Sequence, residues 1–245
     1  MKLLTIELET ANLTATREFY TRRLDLPIVD ESADSLTLQV GWTQLIFRSV
    51  AYPVAPYHFA INVPSGMLEM CMYWFSLDYM DTQAQGQTIA EFPAWRARSA
   101  YFFDNNGNIL EFIARHDLPS VDSNLTAEDL FQGISELGIV TPCVVKTTYQ
   151  LSKHFGVKPF SKSKPMHDFA ALGDDNGLFI VSKENRNWLF TNVPAAINNY
   201  HVTFEPEPGG AIQTLTRNEL SPLVATTNLP CSCRSVQQEQ LAEFV

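Results

Sequence analysis

The sequence predicts an α+β fold built from a repeated unit: one short strand, one capped helix, then two or three further strands. Two features carry that expectation. Short runs alternate apolar and polar residues, as strands with one buried face require. The order of strand, cap, amphipathic stretch and closing strands then recurs along the chain, which marks a modular architecture. Composition agrees, since 45% of the 245 residues are hydrophobic and 18% charged, with sixteen phenylalanines to pack between layers.

The first unit opens with Leu4–Glu9, where Leu4, Ile6 and Leu8 face one way and Thr5, Glu7 and Glu9 the other. Asn12 stands at an expected helix N-cap, ahead of a stretch through Leu24 whose apolar stripe is Leu13, Phe19, Tyr20 and Leu24. Pro27 ends that element, and Ser35–Val40 and Thr43–Ser49 read as strands about a turn at Gly41. The second unit opens with His58–Val63, breaks at Pro64-Ser65-Gly66 and continues as a helix over Met67–Leu77. Ser99–Asp104 and Ile109–Arg115 close it around Asn105-Asn106-Gly107-Asn108, a strong local hairpin signal.

The third unit begins at Ile134–Val140, and Thr141-Pro142 predicts a cap with proline at the first helical position of a helix to about Phe155. His167–Leu172 and Leu178–Ser182 are its expected strands. A fourth unit starts with Tyr200–Glu205 and dissolves in Pro206-Glu207-Pro208-Gly209-Gly210. Asp117–Leu125 is polar and contains Pro119, so the expected domains are residues 1–116, with two units, and 126–245, with a third and an incomplete fourth.

Several of these residues resemble the vicinal oxygen chelate superfamily of glyoxalases, bleomycin-resistance proteins and extradiol dioxygenases. The first unit matches through Thr5-Ile6-Glu7-Leu8, Leu13 and the Phe19-Tyr20 pair. The second matches through His58-Phe59-Ala60-Ile61-Asn62-Val63 and through Phe102-Phe103-Asp104-Asn105-Asn106-Gly107-Asn108-Ile109-Leu110-Glu111, where Asn105 replaces a proline common in the family. The match covers the first half well and residues 134–205 moderately. It implies paired βαβββ modules forming open, cup-shaped mixed sheets with helices on the outer face.

The resemblance also implies metal-ligand slots on the first and last strands of the modules. These fall on Thr5 and Ile46, on His58 and Glu111, and on Glu136 and His201 as opening positions of the second half. Strand parity agrees for one pair: His58 lies opposite Phe59 and Ile61, and Glu111 opposite Leu110 and Phe112, so both should face the cup. Thr5 and Ile46 cannot replace a histidine and a carboxylate. Glu7, on the face of Thr5, is therefore the candidate third ligand beside His58 and Glu111, and Glu7 and Glu111 are the candidate catalytic carboxylates. Trp95 and Tyr101 are candidate stacking surfaces for substrate, and Arg98 a candidate contact for an anionic group.

Two functions follow from this reading. One is a metal-dependent lyase, isomerase or ring-cleaving dioxygenase using Fe, Mn, Ni or Zn on a small molecule with adjacent oxygens. The other is a metal-independent small-molecule binding protein of the bleomycin-resistance type. The formal net charge of −10 argues against a nucleic-acid partner, and no apolar run is long enough for a membrane span. The N-terminus does not read as a signal peptide, and Cys71, Cys143, Cys231 and Cys233 form no disulfide framework, so a cytoplasmic protein with free thiols is expected. The incomplete fourth unit leaves room for a homodimer.

Overall fold

The computed structural model describes residues 1–82, 85–118 and 130–231. Its first module runs through β1 (Lys2–Thr10), α1 (Leu13–Glu18), a π-helical turn at Phe19–Arg23, β2 (Ile28–Glu31), β3 (Ser35–Val40) and β4 (Thr43–Ser49). The second comprises β5 (His58–Val63), α2 (Leu68–Phe75), β6 (Ile89–Phe92), β7 (Ala97–Phe103) and β8 (Ile109–Arg115). The third has β9 (Gly133–Thr141), α3 (Val144–Phe155), β10 (Phe169–Asp174) and β11 (Gly177–Lys183). A partial fourth supplies β12 (His201–Glu205), β13 (Gln213–Thr216) and α4 (Arg217–Thr226).

Two mixed sheets result. One has the order β13-β12-β1-β4-β3-β2, the other β10-β11-β9-β5-β8-β7-β6. The first module thus pairs with the fourth, through antiparallel β1 and β12, and the second with the third, through antiparallel β5 and β9. The cup that contains His58 is shared by the second and third modules, whereas the sequence reading placed it within residues 1–116. From residue 119 onward, the expected boundary segment lies outside the described residues.

The strand faces follow the alternation in the sequence. Ile6, Leu8 and Phe47 of one sheet and Phe59, Ile61, Phe112, Leu137 and Phe179 of the other are fully buried in one continuous apolar core. At about 25 cal/mol per Å² of apolar surface, burial of such side chains is the main favourable term for the fold. The residues of opposite parity on the second sheet are left to line its other face. Asn12 caps α1 as expected, accepting from the Ala15 N–H at 3.0 Å.

Four expectations need correction. Proline does not start α3; Cys143 is its N-cap, and Thr141 Oγ1 accepts the Cys143 N–H at 3.2 Å. The short edge strands β2 and β6 carry too few residues for alternation to reveal them. The fourth module goes further than expected: β13 pairs with β12, and α4 carries a capping box between Thr216 and Glu219 that the sequence displays. Finally, Cys143 and Cys231 are joined as a disulfide, with Cα atoms 5.3 Å apart and a sequence separation of 88, instead of remaining free thiols. That separation leaves no spacing signal in the chain, because the pair meets only when α4 packs along α3. Cys233 lies outside the described residues.

The two motifs that carried the family resemblance turn out to be one physical unit. Asp104 Oδ1 accepts the backbone N–H groups of Asn106 (2.8 Å) and Asn108 (2.9 Å), which folds the turn around Gly107 at φ 75°. Its Oδ2 accepts the Tyr20 hydroxyl at 2.7 Å and the Asn108 amide at 2.8 Å. The aromatic pair of the first module is thereby locked to the closing turn of the second. Removing a buried acceptor of several donors is costly. Asp104→Ala is expected to destabilise the protein by about 2–4 kcal/mol and Tyr20→Phe by about 1–2 kcal/mol in urea denaturation. A Tyr20→Phe variant as stable as wild type would show that this contact does not join the modules.

Candidate metal centre

The cup of the second sheet is organised around Ala60. In the parallel pairing of β5 with β8, Ala60 lies opposite Glu111, and in the antiparallel pairing of β5 with β9 it lies opposite Glu136. His58 shares the face of Ala60, one strand period away. A small residue at the centre leaves space between two carboxylates with an imidazole above them. One donor atom from each of His58, Glu111 and Glu136 lies within 4.8 Å of the others. His58 Nε2 stands 3.8 Å from Glu111 Oε2 and 3.9 Å from Glu136 Oε2. All three residues are buried.

The imidazole is oriented from behind. His58 Nδ1 lies 3.0 Å from the Ile109 carbonyl, so Nδ1 carries the proton and Nε2 is free to face the carboxylates. Glu136 is held too: its Oε1 accepts from Arg115 Nη2, leaving Oε2 toward His58. Arg115 is fully buried, 3.5 Å from Asp175 through Nη1, with its guanidinium about 6 Å from the rings of Trp95 and Phe160. Asp175 continues the alternation of charge outward to Lys162 at 2.6 Å, and Lys162 to Asp117 at 2.8 Å. The arginine thus has an acidic partner on each side.

Burial and the neighbouring charge of Glu136 push the Glu111 carboxyl up to about 7, against the opposing pull of His58. Burial alone would lower the His58 imidazole, but the carboxylates of Glu136 and Glu111 together raise it. The Tyr101 phenol, buried beside Glu111, is pushed well above its usual range, first by burial and then by the two carboxylates.

The donor set fits a divalent cation. One neutral imidazole and two carboxylates match the nitrogen and oxygen preferences of Zn, Fe, Mn or Ni, and their combined charge balances such an ion. Each residue presents an atom not committed to its support. The spacing of 3.8 and 3.9 Å is somewhat wide for ligands about 2.0–2.2 Å from one ion, so the side chains would draw inward on binding.

Glu7 does not join this site. It sits on the other sheet, opposite Ile46 and His201, where Arg48 Nε donates to it at 2.9 Å. Arg98 turns to the helix side and pairs with Glu69 and Glu91 at 2.6 and 2.9 Å. Trp95 and Tyr101 do line the cup, packed against Phe160 and Phe190 respectively. Glu136 was named from the sequence but matched with His201, which is exposed on the first sheet. Arg115 was missed, although its parity with Glu111 along β8 places it on the cup face.

No family model and no curated protein matches the chain. Among solved structures, it superposes on the presumed dioxygenase of Bacillus subtilis subsp. subtilis str. 168 with a TM-score of 0.53 and 17% identity, covering 74% of this chain and 63% of that one. The chain has the vicinal oxygen chelate fold. It spans less than two thirds of the length of that Bacillus protein. A glyoxalase I variant from Zea mays matches at 15% identity and TM-score 0.48, over 91% of this chain and 78% of that one. The bleomycin resistance determinant of transposon Tn5 matches at 24% identity and TM-score 0.35, over 47% of this chain and 99% of that one. At these identities the likeness to the vicinal oxygen chelate fold is one of architecture. Among the described residues no helix is long and apolar enough to cross a membrane.

The buried titrating pair sets a pH dependence. A carboxyl raised from its ordinary range to about 7 binds more protons in the folded than in the unfolded chain between those values, so stability falls as pH rises through that window. The raised His58 acts in the same direction, its contribution being present at low pH and lost as pH rises through its folded value. Wild type is expected to lose on the order of 3 kcal/mol relative to Glu111→Gln between pH 5 and pH 8 in denaturant titrations. Parallel pH profiles for the two proteins would remove Glu111 from this role.

Proposed function

We propose that the chain is a small-molecule-processing protein of the glyoxalase and dioxygenase type, with a divalent metal held in the second-sheet cup by His58, Glu111 and Glu136. The observation that carries this reading is the convergence of those three buried donors around Ala60. Buried carboxylates and an imidazole aimed at one point are costly without a shared positive partner. A metal there would supply Lewis-acid polarisation of substrate oxygens.

The chain's own groups do the rest. His58 keeps its Nε2 directed inward because the Ile109 carbonyl fixes the other ring nitrogen. As a ligand Glu111 would be ionised, and an oxygen not bound to the metal could act as a general base toward the substrate. Arg115 orients Glu136 beside Glu111, binding Oε1 and leaving Oε2 toward His58. The surrounding aromatic wall of Tyr101, Phe160 and Trp95 excludes water, which strengthens each of these interactions.

The Arg115–Glu136 pair favours a second reading as well, a metal-free binding cup of the resistance type. One of the two carboxylates already has a cationic partner within the chain. Metal analysis of protein purified without chelator separates the two. Stoichiometric metal is expected in wild type, with loss in His58→Ala and in Ala60→Leu, whose side chain fills the space between Glu111 and Glu136. Wild type that carries no metal, and whose melting temperature is unmoved by added Fe, Mn, Ni or Zn, leaves only the metal-free reading.

A further inference from the structure

The cup is closed, and the group that closes it has a seat made for it. Trp188 lies beneath the surface at 4% exposure, with its ring centroid 5.0 Å from that of His58 at a tilt of 41°. Beside His58 there remains a cavity of about 10 Å³, lined by Tyr57, Gly138, Val140, Trp188 and Asn198, enough for one water and no organic ligand. The seat is Gly138, in the middle of β9, where glycine weakens a strand. A Cβ added there would stand 2.8 Å from the Trp188 ring and 3.3 Å from the His58 Cβ. The indole thus occupies a slot between β9 and His58 that exists only because residue 138 has no side chain. Its Nε1 is buried in that slot without a hydrogen-bond partner.

The segment that carries Trp188 is bonded mainly to itself. Asn185 N–H donates to Ala195, Ala195 N–H to Arg186, Trp188 N–H to Val193 and Thr191 N–H to Trp188, all within 3.1 Å. Its base is pinned by the Glu184 N–H to Thr141 at 2.9 Å, by Arg186 to Asp168 at 3.5 Å, and by Asn198 to the Ala55 carbonyl at 2.8 Å. Its tip reaches the cup through ring contacts: Trp188 on His58, and Phe190 on Tyr101 at 5.1 Å. Phe190 holds φ at 59°, a strained value for a bulky residue. A pinned base, an internally bonded body and a tip seated by side chains make a self-contained unit.

We propose that residues 185–195 form a lid, and that Trp188 holds the place of a flat ring belonging to the ligand. Trp188 and Gly138 then set specificity: the slot takes a planar, ring-bearing molecule whose edge meets His58, and rejects branched aliphatic ones. This deepens the proposed function and rests on the reading of the second-sheet cup as a ligand site.

The full chain labelled with fluorotryptophan is titrated with naphthol, a flat two-ring probe close to indole in shape, and followed by fluorine NMR. The Trp188 signal is identified as the one missing from Trp188→Phe. Naphthol is expected to move that signal, saturably, toward a solvent-exposed position while those of Trp42 and Trp74 stay in place. Trp188→Gly should bind naphthol at least about tenfold more tightly than wild type, because no side chain has to leave first. Adding Gly138→Val to that variant should abolish the gain. A Trp188 signal that stays fixed, or naphthol binding equally well with Gly138→Val present, overturns the proposal. Metal content of the same samples keeps the two ideas apart: a mobile Trp188 without metal retains the lid and removes the metal, and a fixed Trp188 with metal does the reverse.

Discussion

The cup depends on one contact between distant parts of the chain, the antiparallel pairing of β5 with β9. It sets Leu137 opposite Phe59 in the core and Glu136 opposite Ala60 on the other face. A register shift between Ala60 and Ile61 follows immediately, so the pairing that matters for the site is confined to the start of β5. A slip of one residue would turn Glu136 into the core and Leu137 into the cup. The apolar face prevents this, since Phe59, Leu137 and Ile139 are all fully or almost fully buried. Hydrophobic burial on one side of the sheet thus fixes acid–base geometry on the other.

Once Glu136 is in place, its surroundings follow from electrostatics. Three titratable groups cannot be buried together without partners. The structure meets this with alternating charge, His58 between Glu111 and Glu136, Arg115 between Glu136 and Asp175, and Lys162 between Asp175 and Asp117. The residue left with least compensation is Glu111, which accordingly holds its proton to about pH 7. Glu136 has Arg115 as a direct partner, and among the described residues Glu111 has no cation of its own closer than His58.

Legibility in the sequence divided along the same lines. His58 and Glu111 were readable because each lies in a strand whose alternation identifies its face, and because the closing motif from Phe102 to Glu111 forms a local turn. Glu7 was misplaced because parity shows which face a residue takes, not which sheet it joins; it pairs with Arg48 across β1 and β4. Arg98 was misplaced by a different error, since it lies one residue off the cup parity of Ser99 and Tyr101 and reaches Glu69 on α2. The Cys143–Cys231 bond and the Trp188 seat had no local signature, since each joins segments far apart in the chain.

By itself the sequence determined the order of the modules, the faces of their strands, the turn from Asp104 to Asn108, and two of the three inward donors. These are short-range properties, set by a side-chain period of two in strands and by turn chemistry over a few residues. Only the tertiary structure decided that the second module pairs with the third and the first with the fourth. That choice brought Glu136 and Arg115 to His58, sent Glu7 and His201 to the other sheet, and seated Trp188 over the site. The physical reason is that strand edges of similar pattern can pair in several ways, and the one adopted is selected by the burial of the whole core rather than by any segment within it.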